Sequence, residues 1–526
     1  MHMLSTGLRP LLATHIGRLH ANTAPIAMAN DPIADGAPAE GSMQELLSFS
    51  LPILAACLAE PTLSTIDTLA IGRLSAAGAN AGLAALNVNA AIFNMVSVMT
   101  SFLCTATTTV VGQGMAAAAQ KEDVALNVST TDIETDSPSS RALRDGLVLS
   151  GVLGCIIAAV LYLAEAAILG GGFGLARTGP IWGPASSYLR IRAAAVPAAL
   201  ATLVGVGVCL GRQDTNTPLR AVVLATLVNV FGDALLVWRL GWGLTGAAIA
   251  TAAASYASAA LICGSLVREL RPRWRRALRF QEIAPFLACS GALLVGRTLN
   301  AVTYTATSRV VAAAGSVAAA AAHQISLQCW WLFSFVSVPL SLAAQSLLSR
   351  RAIEKPLAGV ATMRSVSQLA VGCGLLMALG NWLVPFMLPG IFTADATVRA
   401  SLSSVALMAV ASQFFISFAT ALDGVYIGTS SLGHYVMACT LGTASGWFAF
   451  RHGMRTGAGL SSAWLGLLLF SGVRALIHML AYPALQRRIE LAARAQQDAG
   501  SSAAESEGGS AQLAATSAAG PGVEES

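Results

Sequence analysis

The chain has 526 residues, of which 55% are hydrophobic and 11% charged, with a net charge of +5 and a mean hydropathy of +0.66. Soluble domains carry about 25% charged residues, so this composition excludes a hydrated globular surface and requires one that faces lipid. The nine cysteines are scattered through apolar stretches without a C-x-x-C pair, which leaves packing residues rather than a disulfide framework or metal site, and no aromatic-interleaved basic domain offers a nucleic-acid partner.

Residues 1–43 hold Arg9, His15, Arg18 and His20 before the first acid, Asp31. This is the pattern of a disordered tail or of an organellar transit peptide. Apolar segments near the roughly 20 residues needed to cross a hydrocarbon core follow at 47–72, 83–113, 145–170, 182–210, 218–239 and 243–267. A second set follows at 283–313, 322–349, 364–389, 400–427, 433–450 and 459–484. The expected fold is an all-α integral membrane protein of about twelve transmembrane helices in two six-helix lobes, 44–267 and 283–485, joined by a basic loop at 268–282 with six arginines. Residues 114–143 read as a mobile acidic insertion, and 486–526, rich in Ala, Ser, Gly and Glu, as a disordered tail.

Loop charge orients the chain. Lys121, Arg141, Arg212, Arg220, the central cluster, Arg350, Arg351 and Lys355 all fall on the side of the N-terminus, which is therefore cytosolic, or stromal for a plastid protein. The halves also repeat. GVCLG at 207–211 matches GVYIG at 424–428, and AALNVNAAIFN at 84–94 corresponds to AAHQISLQCWW at 321–331. Six helices per half makes the repeat parallel, with a substrate path between the lobes.

Ionisable residues inside a span are functional candidates by default. Asp67 in the first helix, Asp233 in the fifth and Thr251 in the sixth fall at a similar depth, and Asn229 shares a helix face with Asp233. Two carboxylates, an amide and a hydroxyl at one level suit a proton or Na⁺; interhelical hydrogen bonding is the structural alternative. Further candidates for the substrate path are Glu60 beside Pro61, Asn87, Asn89, Arg297, His323, Gln324 and Asp423. Arg297 suits an anionic substrate group or a structural ion pair with an acid such as Asp423. His434 and His478 read as structural. The chain has no phosphate-binding G-x-x-x-x-G-K-[ST] loop and no H-E-x-x-H motif, so the energy for any work has to come from an ion gradient.

Several stretches resemble the multidrug and toxic compound extrusion (MATE) transporters. They are LPILAACLAEPTLSTIDTLAIGRL in the first helix, GRQDTNTPLRAVVLATLVNVFGDALLVWRLGWGLTGAAIAT across the fifth and sixth, AAHQISLQCWWLFSF in the eighth and LDGVYIGTSSLGHY after the tenth. The resemblance spans about 45–485 and is greatest to the plant and algal branch. It implies a cation-coupled antiporter, driven by H⁺ or Na⁺ without a cofactor, that exports xenobiotics or organic anions such as citrate or phenolic acids. It also implies that Asp67, Asn229, Asp233 and Thr251 are the cation site. One departure stands out. The eighth helix reads VSVPLSLAAQ at 336–345, without the acid usual in that branch, which leaves the N-lobe pocket as the strong site. The alternatives are a lipid-linked oligosaccharide flippase and an intramembrane enzyme using an Asp67–Asp233 dyad. The expected partners are a small organic solute and the bilayer, with the chain as a monomer in a plasma, vacuolar or plastid-envelope membrane.

Overall fold

The structure, a computed structural model, describes residues 39–72, 76–125, 137–173, 175–274, 280–313, 316–391 and 395–518. Among these every regular element is helical. The N-lobe comprises α1 (Met43–Gly72), α2a (Ala76–Thr100), α2b (Phe102–Ala125), α3 (Pro138–Leu163), α4a (Trp182–Ala194), α4b (Val196–Gly211), α5 (Asn216–Asp233) with a π-helical turn to Arg239, and α6 (Gly243–Leu270). The C-lobe comprises α7 (Phe280–Ala313), α8a (Val317–Phe335), α8b (Val338–Glu354), α9 (Pro356–Trp382), α10 (Ala396–Gly428), α11 (Leu432–Thr456) and α12 (Gly459–Ala518). Eight spans are long and apolar enough to cross a membrane on composition alone, nine with the bent α4a–α4b pair, and α1, α7 and α11 complete the twelve. Leu407, Phe448 and Leu480 are 83%, 78% and 72% exposed, which is tolerable only against lipid.

The breaks have local causes. Pro197 and Pro339 open α4b and α8b at the first turn, where a missing N–H costs nothing, and α4 bends there by 45°. At the α2 break the Thr100 and Ser101 hydroxyls donate back to Val96 O and Val98 O at 2.8 Å each. Back-bonding of this kind bends helices. Outside the bilayer, Asp395 caps α10, accepting from Thr397 N at 2.7 Å, and the Thr397 hydrogen bonds hold its carboxyl below the usual range.

The sequence repeat has a packing cause. In α4b, a Cβ on Gly207 would lie 2.6 Å from Cys104 O, and one on Gly211 would lie 2.8 Å from Thr108 O, both on α2b. In α10, a Cβ on Gly424 would overlap Ser341 O, and one on Gly428 would lie 2.9 Å from Gln345 O, both on α8b. Ser341 and Gln345 are the positions that the repeat pairs with Cys104 and Thr108. The two glycine pairs therefore let the fourth helix of each half lie directly on the second. Gly112 of α2b meets Ser349 of α8b, and these two positions are equivalent to each other, so the pseudo-twofold axis passes between them.

Two segments depart from expectation. The segment from 486 is not a disordered tail: α12 runs on to Ala518. Ala, Leu, Arg, Glu and Gln are good helix formers. Leu485, Ile489 and Ala493, spaced by four, are buried on the C-lobe, and Gln496 donates to Ile353 O at 3.0 Å. Likewise α2b continues to Ala125 and α3 begins at Pro138, its first turn capped by Ser137, so the acidic insertion is shorter than 114–143. Its centre, 126–136, lies outside the described residues, as do 1–38 and 275–279 of the basic loop.

Candidate ion-coupling and substrate sites

In the N-lobe, Asn229 and Asp233 are one helical turn apart on α5, and both are buried. The Asn229 amide donates to Asp233 Oδ2 at 3.1 Å. Gly232 packs on Ala250, where a Cβ would lie 2.7 Å from the alanine methyl. Asp233 and Thr251 are the next residues along these two antiparallel helices, so their backbones are about 3 Å apart in level. The Thr251 hydroxyl donates along its own helix to Ala247 O at 2.8 Å, leaving its lone pairs for a ligand. α1 packs along α5, but Asp67 lies outside the described side chains, as do Glu60 and Asn87.

The other sequence candidates separate. Asn89 is fully buried and ties α2a to α4a through Ala85 O at 2.9 Å and Ala185 O at 3.1 Å, so it is packed within the N-lobe rather than set on a path. His323 is buried, 3.4 Å from the hydroxyls of Thr307 and Ser308, with its ring edge-on to Trp464. Gln324, the next residue, is exposed. Thr303 is buried and paired with Thr443 at 3.1 Å.

Arg297 does not pair with Asp423. It sits midway along α7, where Thr298 reaches Met99 of α2a, and it lies within electrostatic reach of Cys104 on α2b and of Tyr435 and Cys439 on α11. It is therefore at the junction of the lobes. Its buried Nε has no acceptor among the described residues. Asp423 is instead held by α12. Arg474 Nη2 donates to Oδ2 at 2.5 Å, and His478 Nε2 lies 3.0 Å from Oδ1. His478 Nδ1 in turn lies 3.3 Å from His434 Nε2. Sequence reasoning missed this cluster, although a signal was present. An arginine and a histidine four apart in an apolar last helix need an acid, because a buried guanidinium without one costs several kcal/mol.

Below Arg297, on the N-terminal side, the lobes are joined. The Gln345 amide donates to Thr105 O at 2.6 Å and to Thr109 Oγ1 at 3.1 Å. Ser346 donates to Leu210 O, Gln113 to Ser430, and Gln120 to Ile353 O at 3.2 Å. Toward that surface Arg351 makes an ion pair with Glu45 of α1 and also donates to Thr362 at 3.1 Å. Among the described residues no hydrogen bond links α2a with α8a, the halves of the same two spans on the opposite side.

Two repeated six-helix lobes, sealed on one membrane face and carrying buried ionisable groups, define a multi-pass membrane carrier. No protein-family model matches the chain. It is 30% identical over 483 residues to Protein DETOXIFICATION 44, chloroplastic, of Arabidopsis thaliana, covering 88% of this chain and 87% of that protein. It is 28% identical over 440 residues to Protein DETOXIFICATION 45, chloroplastic, of the same plant, covering 82% and 76%. The fold matches the Vibrio cholerae MATE transporter VcmN in its bent form with a TM-score of 0.72, at 18% identity, over 85% of this chain and 98% of that one. The chain belongs to the multidrug and toxic compound extrusion family, in its DETOXIFICATION-like branch. Its relatives are transporters, and it is an integral, multi-pass membrane protein.

Proposed function

We propose that this chain is a proton-coupled antiporter that exports small organic solutes bearing an anionic group. The observation that carries the reading is the buried Asn229–Asp233 pair level with Thr251. Asn229, Asp233 and Thr251 offer hard oxygen ligands, and on this reading Asp67, the sequence candidate on α1, joins them. Two carboxylates at one depth do not both stay charged without a cation, because each disfavours ionisation of the other. Discharge by a proton, or neutralisation by Na⁺, changes how α1 and α5 pack and so links ion entry to movement of the lobes. Arg297 favours the anionic solute. A cation at a lobe junction that has no acid partner among the described residues recruits a carboxylate or phenolate and disfavours organic cations. On this reading the chain acts as a monomer, with its substrate path between its own two lobes.

The test is transport into proteoliposomes under an imposed pH or sodium gradient, with organic anions and organic cations run side by side. Asp233→Asn and Asp67→Asn should each abolish gradient-driven accumulation in protein that is still inserted and folded, and Asn229→Ala should weaken it less. Arg297→Gln should raise KM for anions more than for neutral solutes. If both Asp→Asn variants still accumulate solute against its gradient, the N-lobe pocket is not the coupling site. The names of the relatives favour a plastid envelope, and a fluorescent fusion carrying residues 1–43 that stays in the cytosol would argue against it.

A further inference from the structure

Two arginines stand close together on α4a, and only one has an acid partner among the described residues. Arg190 is half exposed, donates to Glu165 of α3 at 2.6 Å and lies 5.3 Å over the Tyr162 ring. Arg192 lies 4.9 Å over the Phe93 ring of α2a. Its Nε is buried, with no acceptor among the described residues, while the side chain as a whole is partly exposed.

The depth of Arg192 follows from the register of its neighbours. Trp182 opens α4a on the side opposite the N-terminus. At 1.5 Å per residue, Arg192 lies about 15 Å deeper, near the middle of a core about 30 Å thick. Tyr256 of α6 donates to Ala194 O at 2.7 Å and Cys263 to Ala201 O at 3.4 Å, both 62 positions apart. The fourth and sixth helices run the same way, so this constant offset sets Arg192 level with Ala254. α5 lies against α6 and runs the opposite way, with Gly232 packed on Ala250. That sets Asn229 level with Ala253. Arg192 and Asn229 are therefore within about 2 Å of one depth, and Asp233 is one turn nearer the side opposite the N-terminus.

α5, α6, α4a, α2a and α1 pack in that order, and α1 packs back on α5, so the five segments form a ring. Arg192 shares a face of α4a with buried Ala185, Tyr188 and Leu189. That face meets α2a, where Asn89 donates to Ala185 O and the Phe93 ring stands edge-on to Tyr188. A guanidinium at this depth is unfavourable against hydrocarbon, so the exposed end of the side chain points into the ring. Stacking on Phe93 fixes the plane of the guanidinium and leaves its N–H edge for a ligand. That edge matches a carboxylate, which accepts two parallel N–H bonds. A neutral amide offers one acceptor instead of two, and an organic cation is repelled.

We infer that Arg192 is an anion-binding residue of the N-lobe, which takes the carboxylate of an organic acid inside the helix ring that holds Asn229 and Asp233. This deepens the anionic-solute reading proposed above and rests on it. It adds a contact on α4a, distinct from Arg297 at the junction of the lobes.

The test is equilibrium binding by full-length protein in nanodiscs at constant pH. Acetate, benzoate, malonate and citrate serve as probes, with benzamide and choline as controls. At least one carboxylate should raise the Tm of wild type, and neither control should. Arg192→Gln should weaken the apparent Kd for that carboxylate about tenfold or more, the loss expected for charge-assisted hydrogen bonds. Arg192→Lys keeps the charge without the planar fork and should recover part of the affinity. Without added carboxylate, Arg192→Gln should match or exceed wild type in Tm, because a residue held for binding is not one held for stability. In wild type the bound carboxylate should also protect Arg192 from phenylglyoxal and leave labelling of Arg190 unchanged. That comparison, read by peptide mass spectrometry, needs no variant to fold. Arg297→Gln runs in parallel. Affinity lost in Arg297→Gln but kept in Arg192→Gln overturns this inference and leaves the anionic-solute reading standing. No binding of any carboxylate overturns both. A lower Tm for Arg192→Gln with unchanged affinity also overturns the inference and leaves Arg192 as a packing residue.

Discussion

Gln345→Leu isolates the bonds that hold the lobes together. Gln345 is 2% exposed and donates two hydrogen bonds from α8b to α2b, to Thr105 O and Thr109 Oγ1. Leucine keeps most of the volume. The Thr109 hydroxyl lies 3.1 Å from Thr105 O, so both acceptors retain a partner in each other after the substitution. The loss is then confined to two net hydrogen bonds of about 0.5–1.5 kcal/mol each, or about 1–3 kcal/mol in the sealed state alone. At 1.4 kcal/mol per factor of ten, the ratio of sealed to open molecules falls about five- to hundredfold. Native Cys104 is a convenient probe. It is buried in α2b, one turn beyond Thr108 as seen from the N-terminal surface, and opening the seal exposes it to that side. Labelling by a membrane-impermeant maleimide from the N-terminal side, read by peptide mass spectrometry, should speed up by a similar factor. Unchanged labelling of Cys104 in folded Gln345→Leu protein would refute the view that these bonds close the path.

Two further predictions concern packing. Gly424→Val should destabilise the C-lobe by about 2–3 kcal/mol, read as a lower Tm in detergent, because its side chain overlaps Ser341 O and α8b has to move away. Gly372→Ala, on a part of α9 with nothing within 4 Å, should be neutral or stabilising by up to about 1 kcal/mol. Equal effects of the two substitutions would sink the packing account of the repeat. Truncation after residue 498 should leave transport and Tm intact. Truncation after residue 484 removes buried Leu485, Ile489 and Ala493 and should lower Tm by several degrees.

Composition by itself was enough to place this chain in lipid, and hydropathy to count its helices, because a bilayer admits few ways of satisfying a backbone and each span has to be long and apolar. The charge of the loops gives an expected orientation, and the spacing of Asp67, Asn229, Asp233 and Thr251 an expected common depth, since a helix rises by a fixed amount per residue. The tertiary structure decided matters that depend on which helix faces which. The glycines of GVCLG and GVYIG showed in sequence as a repeat, but only packing gives their purpose, which is to let α4b lie on α2b and α10 on α8b. Asp423 could be assigned to Arg297 or left alone from sequence, whereas the fold gives it to Arg474 and His478, about fifty residues later in the chain, because α10 and α12 are neighbours. The helical continuation past 486 is hidden in the sequence for a related reason. Its composition resembles a solvated tail, and the buried stripe of Leu485, Ile489 and Ala493 has meaning only once a C-lobe surface is present to receive it.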